Sequence, residues 1–324
     1  MARMSVGVAD DIADVARTAM SAGLTKAAAT WMHSRPRMRS GNGERPWLWF
    51  APVLVLLLLV TLYPTGFVVW MSFHKTQYFE LKEFVLFANY LELLGSRTFR
   101  DISWNSTHYV VGSLLFVLPL GLIAAIVFDT FGKVGAGLRV VALLPWTLSM
   151  SVVGSIWLWM LNPTFGPATF VMKSIGIPTG LMLGDPRFAM YLIILATVWW
   201  SFPYVMVMMT AALQSAPAEL YEAVEIDGGG AIAKFRYVTL PEILPTLGST
   251  ALSLAILYLT LITLIIVMTG GGPLGTTTTW SFDIFRETVT AQNVAPAAAA
   301  SVVVLVANVV LGAIYVRFTG RVSG

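Results

Sequence analysis

Glu219-Leu220-Tyr221-Glu222-Ala223-Val224-Glu225-Ile226-Asp227-Gly228, followed by Val238-Thr239-Leu240-Pro241, is a charged, glycine-broken segment set between long apolar runs. Ser215 has an N-cap side chain, and Pro217 stands near a first helical position, where its missing N–H costs nothing. These signals predict a helix to about Asp227, ended at 228–230 by glycines that tolerate positive φ. At about 100° per residue, Glu219, Glu222 and Glu225 share one face with Ile226, and Leu220, Ala223 and Val224 share a packing face. A second short helix over 231–238 carries Lys234 and Arg236 beside Ile232 and Phe235. Pro241 and Pro245 are expected to stop or bend the chain after it. A helix pair of this kind, lying across a membrane surface, can offer its carboxylates to basic groups of a docking partner. Small Ala223 permits close approach. Spacing alone leaves an ordinary solvated amphipathic loop equally open.

The flanking runs set the class. Of 324 residues, 57% are hydrophobic and 11% charged, and the mean hydropathy is +0.76. A soluble domain of this size needs more charge to cover its surface. Apolar runs over 47–73, 104–128, 138–161, 188–213, 247–268 and 297–316 are each long enough for a hydrocarbon core of roughly 30 Å. The predicted fold is therefore all-α, with six transmembrane helices. Pro119, Pro145 and Pro203 fall inside runs and are expected to bend them, as packing kinks or as hinges. Residues 1–46 read as a polar tail and linker, with a weak amphipathic pattern at 11–31. Residues 47–320 read as the membrane domain, with the loop 214–246 inside it, and 321–324 as a short tail. Thirteen of the 20 Lys and Arg fall on the side of the termini, which predicts that both termini and the 214–246 loop are cytoplasmic.

Several chemistries are excluded. Cys is absent, so there are neither disulfides nor thiolate metal sites. The interiors of the runs carry no Asp, Glu, Lys or Arg, which a proton-coupled carrier needs at membrane depth. A sodium-coupled carrier using hydroxyls and carbonyls stays open. The richest glycine run, Thr269-Gly270-Gly271-Gly272-Pro273, lacks the Lys and Ser/Thr of a phosphate loop. No catalytic residue, metal ligand, bound cofactor or nucleic-acid site is predicted, and any ATPase must be a separate subunit. Within the runs, Trp157, Trp199, Trp200, Tyr204, Tyr258 and Asn308 can hold a sugar by stacking and hydrogen bonds, although helix packing is the commoner use of such residues. A neutral mono- or oligosaccharide or a polyol is the expected solute, with glycerol-3-phosphate as the alternative.

The opening segment resembles the EAA motif of bacterial ABC importer permeases, E-A-A, three residues, G, nine residues, I-x-L-P. Glu222, Ala223, Gly228, Leu240 and Pro241 match, while Val224 and Val238 depart conservatively. Leu144-Pro145-Trp146, Asn162-Pro163 and Met268-Thr269-Gly270-Gly271-Gly272-Pro273 are similar to the carbohydrate-uptake branch, so the resemblance covers about 47–320. It implies a type I importer permease in the bacterial cytoplasmic membrane, surrounded by lipid. Its implied partners are a second homologous permease, two ATPase subunits that use ATP and Mg, and an extracytoplasmic solute-binding protein. By that resemblance, Glu222 with Glu219 contacts the ATPase, Ala223 allows close approach, Gly228 is the bend, and Leu240-Pro241 links to the fifth span. A sodium-coupled carrier and a membrane scaffold are the rival classes.

Overall fold

Apolar runs of this length leave helix as the economical way to pair every backbone N–H and C=O within lipid, and a computed structural model shows a mostly helical chain. It describes residues 47–77, 80–176, 180 and 182–319. The tails at 1–46 and 321–324, with the amphipathic pattern at 11–31, lie outside these residues. In chain order the helices are α1 Trp47–Leu57, α2 Tyr63–Met71, α3 Ala88–Gly95, α4 Arg97–Thr130, α5 Gly132–Ala142, α6 Leu144–Thr147, α7 Met150–Met160 and α8 Pro167–Ser174. They continue as α9 Ala189–Ser215, α10 Ala218–Ile226, α11 Ala231–Lys234, α12 Leu240–Thr260, α13 Thr263–Met268, α14 Trp280–Phe285 and α15 Val294–Thr319. A small antiparallel hairpin, β1 His74–Gln77 and β2 Glu80–Phe84, pairs Thr76 with Leu81 and Gln77 with Glu80. The all-helical expectation did not include it. Thr76 Oγ1 accepts the Ala295 N–H at 2.9 Å, so the hairpin also caps the last helix.

The chain divides into two compact units at Val60 and Thr61. In the first, α1 is apolar on every side, and its described side chains are almost all exposed, as a lipid- or partner-facing helix requires. In the second, the core lies among α4, α7, α9, α12 and α13, around Tyr109, Val117, Val153, Ile193, Met206, Leu254, Tyr258, Leu264 and Ile265. The most extensive helix pair is α4 with α9. Gly121 makes it possible, because a Cβ there would lie 2.4 Å from the Val205 Cβ and 3.0 Å from the Met206 nitrogen. Two hydroxyl pairs stitch α9 to its neighbours: Tyr109 of α4 to Thr197 at 3.0 Å, and Ser201 to Tyr258 of α12 at 2.5 Å. Interhelical bonds of this type average about 0.6 kcal/mol, so close packing dominates and the bonds fix the register.

Among the described residues five helices are long and apolar enough to cross a membrane, or six if one bent pair counts as a single span. That pair is the expected third span. Instead of running straight over 138–161, it breaks between Gly132–Thr147 and Met150–Met160 with a 97° bend. The break has local causes. Pro145 opens α6 without an N–H to donate, Leu148 is extended, and Ser149 starts α7, its Oγ accepting the Val152 N–H at 3.5 Å. The Leu148 carbonyl freed by the break accepts Trp200 Nε1–H at 3.3 Å. By contrast, α4 and α9 run on unbroken through Pro119 and Pro203. The expected fifth span also differs. It starts earlier, running as helix from Ala231–Thr260, and it breaks at Leu261 before α13. The Leu259 carbonyl released there accepts the Ser281 hydroxyl.

Candidate functional site: the loop between the fourth and fifth spans

Ser215 does not cap the surface helix as expected. Its hydroxyl donates to the Ala212 carbonyl at 2.8 Å and so closes α9. Ala216 and Pro217 are extended and turn the chain into α10, with Pro217 at the N-cap position. At the other end Asp227 N–H reaches Ala223 O at 3.1 Å and Gly229 N–H reaches Val224 O at 2.8 Å. The turn needs both glycines for different reasons. Gly228 has φ +79° with open space around it, while a Cβ on Gly229 would meet the Val224 carbonyl at 2.8 Å. Gly228→Asn is therefore expected to retain function, since Asn tolerates this backbone. Gly228→Val should cost on the order of 1–2 kcal/mol of turn stability and lower the transport that the motif resemblance implies about tenfold at equal membrane abundance. A transport assay of both variants checks this.

The helix lies in a different rotational phase from the one the spacing predicts. Tyr221 and Val224 are its half-buried residues, and Tyr221 Oη meets Thr239 Oγ1 at 3.2 Å. Leu220 and Ala223 are exposed, although a packing face was expected there. The reason is the close seat of Gly229 against Val224, which fixes which side turns inward. The outward stripe therefore consists of Glu219, Glu222, Ala223 and Ile226, with Ile226 and Ile232 each 85% exposed.

The carboxylates are not equivalent. Glu225 accepts Lys234 Nζ at 2.8 Å, and this pairing holds its carboxyl below the usual carboxylate range. Glu219 and Glu222 take no ion pair or hydrogen bond among the described residues. Downstream, α11 passes through a π turn, Phe235–Thr239, directly into α12. Pro241 and Pro245 neither stop nor interrupt this run. The π turn lies ahead of Pro241, and Pro241 then falls in the first turn of α12, where no donor is required. Leu240 and Pro241 face outward above buried Val238 and Thr239. From Ala231 onward the loop is thus one helical run with the fifth span, and α10 is joined to it through the 227–230 turn.

The residues expected along a solute path are placed separately. Trp200 and Tyr204 gather around Trp146, with ring centroids 4.2 and 5.2 Å away, at the break in the third span. Trp157 meets Trp199 edge-on at 6.1 Å, and its buried Nε1 has no acceptor. Tyr258 is 1% exposed beside Tyr109. Asn308 stands on α15 with its Oδ1 buried and unsatisfied among the described residues, apart from the aromatic groups. Trp146, Tyr109 and Ser201 belong to these groups but were missed as site residues. Their signal was present, as an aromatic after Pro145 and hydroxyls facing one another on apolar helices.

A multi-span helical protein with a surface helix pair leading into one span has the form of a membrane transport subunit. Residues 117–324 match the family described as binding-protein-dependent transport system inner membrane component, and the chain belongs to that family. It is an inner-membrane, multi-pass ABC importer permease. It is 30% identical to the sulfoquinovosyl glycerol transport system permease protein SmoG of Agrobacterium fabrum over 276 residues, 83% of this chain and 88% of that one. It is 32% identical to the trehalose/maltose transport system permease protein MalF of Thermococcus litoralis over 256 residues, covering 77% and 85%. The sn-glycerol-3-phosphate transport system permease protein UgpA of Escherichia coli is 29% identical over 287 residues, covering 88% and 96%. Among solved structures, a bacterial alginate ABC transporter in complex with an alginate pentasaccharide-bound periplasmic protein superposes with a TM-score of 0.74 at 22% identity, covering 86% and 96%. That likeness shows the fold. Family membership displaces the sodium-coupled carrier and the scaffold as readings.

Proposed function

We propose that this chain is the passive gate of an ATP-driven sugar importer, working with a second homologous permease, two ATPase subunits and an extracytoplasmic binding protein. Both termini and the 214–246 loop face the cytoplasm in this reading, as the Lys and Arg distribution requires. The carrying observation is the outward stripe Glu219, Glu222, Ala223 and Ile226 on a surface helix joined by a glycine turn to the Ala231–Thr260 helical run of the fifth span. Two unpaired carboxylates and exposed isoleucines suit a cleft with basic rims and an apolar floor. Closure of the ATPase dimer, driven by ATP and Mg bound there, would then rotate the spans. This chain itself holds no nucleotide and performs no hydrolysis.

The solute is a neutral sugar or polyol. The relative named for trehalose and maltose supports that class, as does the absence of Lys and Arg inside the apolar runs, whereas the relative named for sulfoquinovosyl glycerol points to a sugar bearing an anionic sulfonate. The relative named for sn-glycerol-3-phosphate keeps a polyol phosphate as the second reading. The test is reconstitution of the chain with its neighbouring ATPase, partner permease and binding protein. ATP hydrolysis should rise with a neutral sugar or polyol. A response confined to phosphorylated solutes contradicts the solute class.

A further inference from the structure

From the 214–246 loop, α9 and α12 lead to the opposite end of the molecule, where α3, the start of α4, α14 and the start of α15 meet. They enclose a cavity of about 270 Å³. Glu92 of α3, Asp283 of α14, and Arg286 and Glu287 just beyond it, line this cavity. The lining thus holds three carboxylates and one guanidinium. Arg286 is committed to Asp283 and lies 3.6 Å from Glu287, while Glu92 has no ion pair or hydrogen bond among the described residues. Asn89 lines the same cavity and is 8% exposed. Its Nδ2 donates to the carbonyls of Ser72 and His74, both at 2.8 Å, and its Oδ1 accepts nothing among the described residues. Thr98 and Asn293 add neutral donors to the lining, but Glu92 and Glu287 outweigh the one guanidinium, so the excess charge is negative.

A cationic donor fits this site, and its volume exceeds what a bare ion fills. No group of His, Asp and Glu among the described residues is arranged to hold a metal. We propose that the cavity receives a lysine or arginine side chain of the solute-binding protein when that protein docks. This rests on the reading above, in which the binding protein approaches the end of the permease away from the ATPase. Glu92 is exposed at the rim and steers the cation. Glu287 and Asn89 Oδ1, farther in, accept its protons once water is excluded. Charge pairs at a docking face act chiefly on encounter rate and on salt dependence.

The experiment uses the complete transporter in lipid nanodiscs and the binding protein that the wild-type complex captures. It reads the binding-protein concentration for half-maximal stimulation of ATP hydrolysis, at several ionic strengths. In the Glu92→Gln, Glu287→Gln double variant that concentration should rise about tenfold, with a shallower salt dependence and unchanged basal hydrolysis. Glu92→Gln alone, at an exposed site, should move it the same way by a smaller factor, and carries the test if the double variant loses basal hydrolysis. An unchanged half-maximal concentration and salt slope in variants with wild-type basal hydrolysis overturns the proposal while leaving the importer reading intact. No stimulation of the wild-type complex by any binding protein overturns both.

Discussion

The Glu222→Lys variant is expected to lose ATP-driven uptake by roughly a hundredfold or more while reaching the membrane in normal amounts. Glu222 lies on the outward stripe and carries no internal ion pair, so its replacement removes nothing that holds this chain together. What it changes is the docking face. Reversal puts a cation where the partner cleft is expected to be basic, and like charges brought together at an interface cost several kcal/mol. Glu225 makes the control. Its carboxylate is already paired with Lys234, so Glu225→Gln should reduce uptake far less. Uptake, ATPase co-purification and membrane abundance measured together separate the outcomes. Normal co-purification and normal uptake in Glu222→Lys would remove the docking role.

The second large effect is expected at Gly121, far from any docking surface. A leucine there would drive its Cβ into Val205 and the Met206 backbone. Neither can yield easily, because Val205 and Met206 are buried in the α4–α9 pair. Overpacking of a core costs about 1–3 kcal/mol where side chains can adjust, and more where backbone is the obstacle. Membrane abundance of Gly121→Leu should fall several-fold, with a lowered melting temperature in detergent. Gly112→Ala is the milder comparison, since its added Cβ meets only the far end of the Ile194 side chain, at 2.8 Å.

The two variants divide the molecule by what sequence could show. Span positions were legible because hydrocarbon thickness imposes a length on every apolar run. The breaks at Leu148 and Leu261 were not. Each depends on a distant group taking a freed carbonyl, Trp200 in one case and Ser281 in the other. Gly228 was legible as a positive-φ position, because few other residues accept that backbone. The rotational phase of α10 was not, since it follows from how closely Gly229 seats against Val224. A helical wheel knows the spacing of Leu220, Tyr221, Ala223 and Val224 but not which arc the rest of the loop will cover. The aromatic residues of the spans show the same limit from the other side. Trp146, Trp200 and Tyr204 cluster at a bend whose local signals, Pro145 and Ser149, do not say which distant rings will meet there.

The central claim is that this polypeptide moves solute only when a partner's ATP hydrolysis turns the 214–246 lever. The direct measurement is solute accumulation in sealed liposomes containing either this chain alone or the full complex with its ATPase, each given binding protein outside and ATP inside. The full complex should concentrate solute above the external level and stop when ATP is withdrawn, and the chain alone should never exceed equilibration. Concentrative uptake by the chain alone would contradict the account.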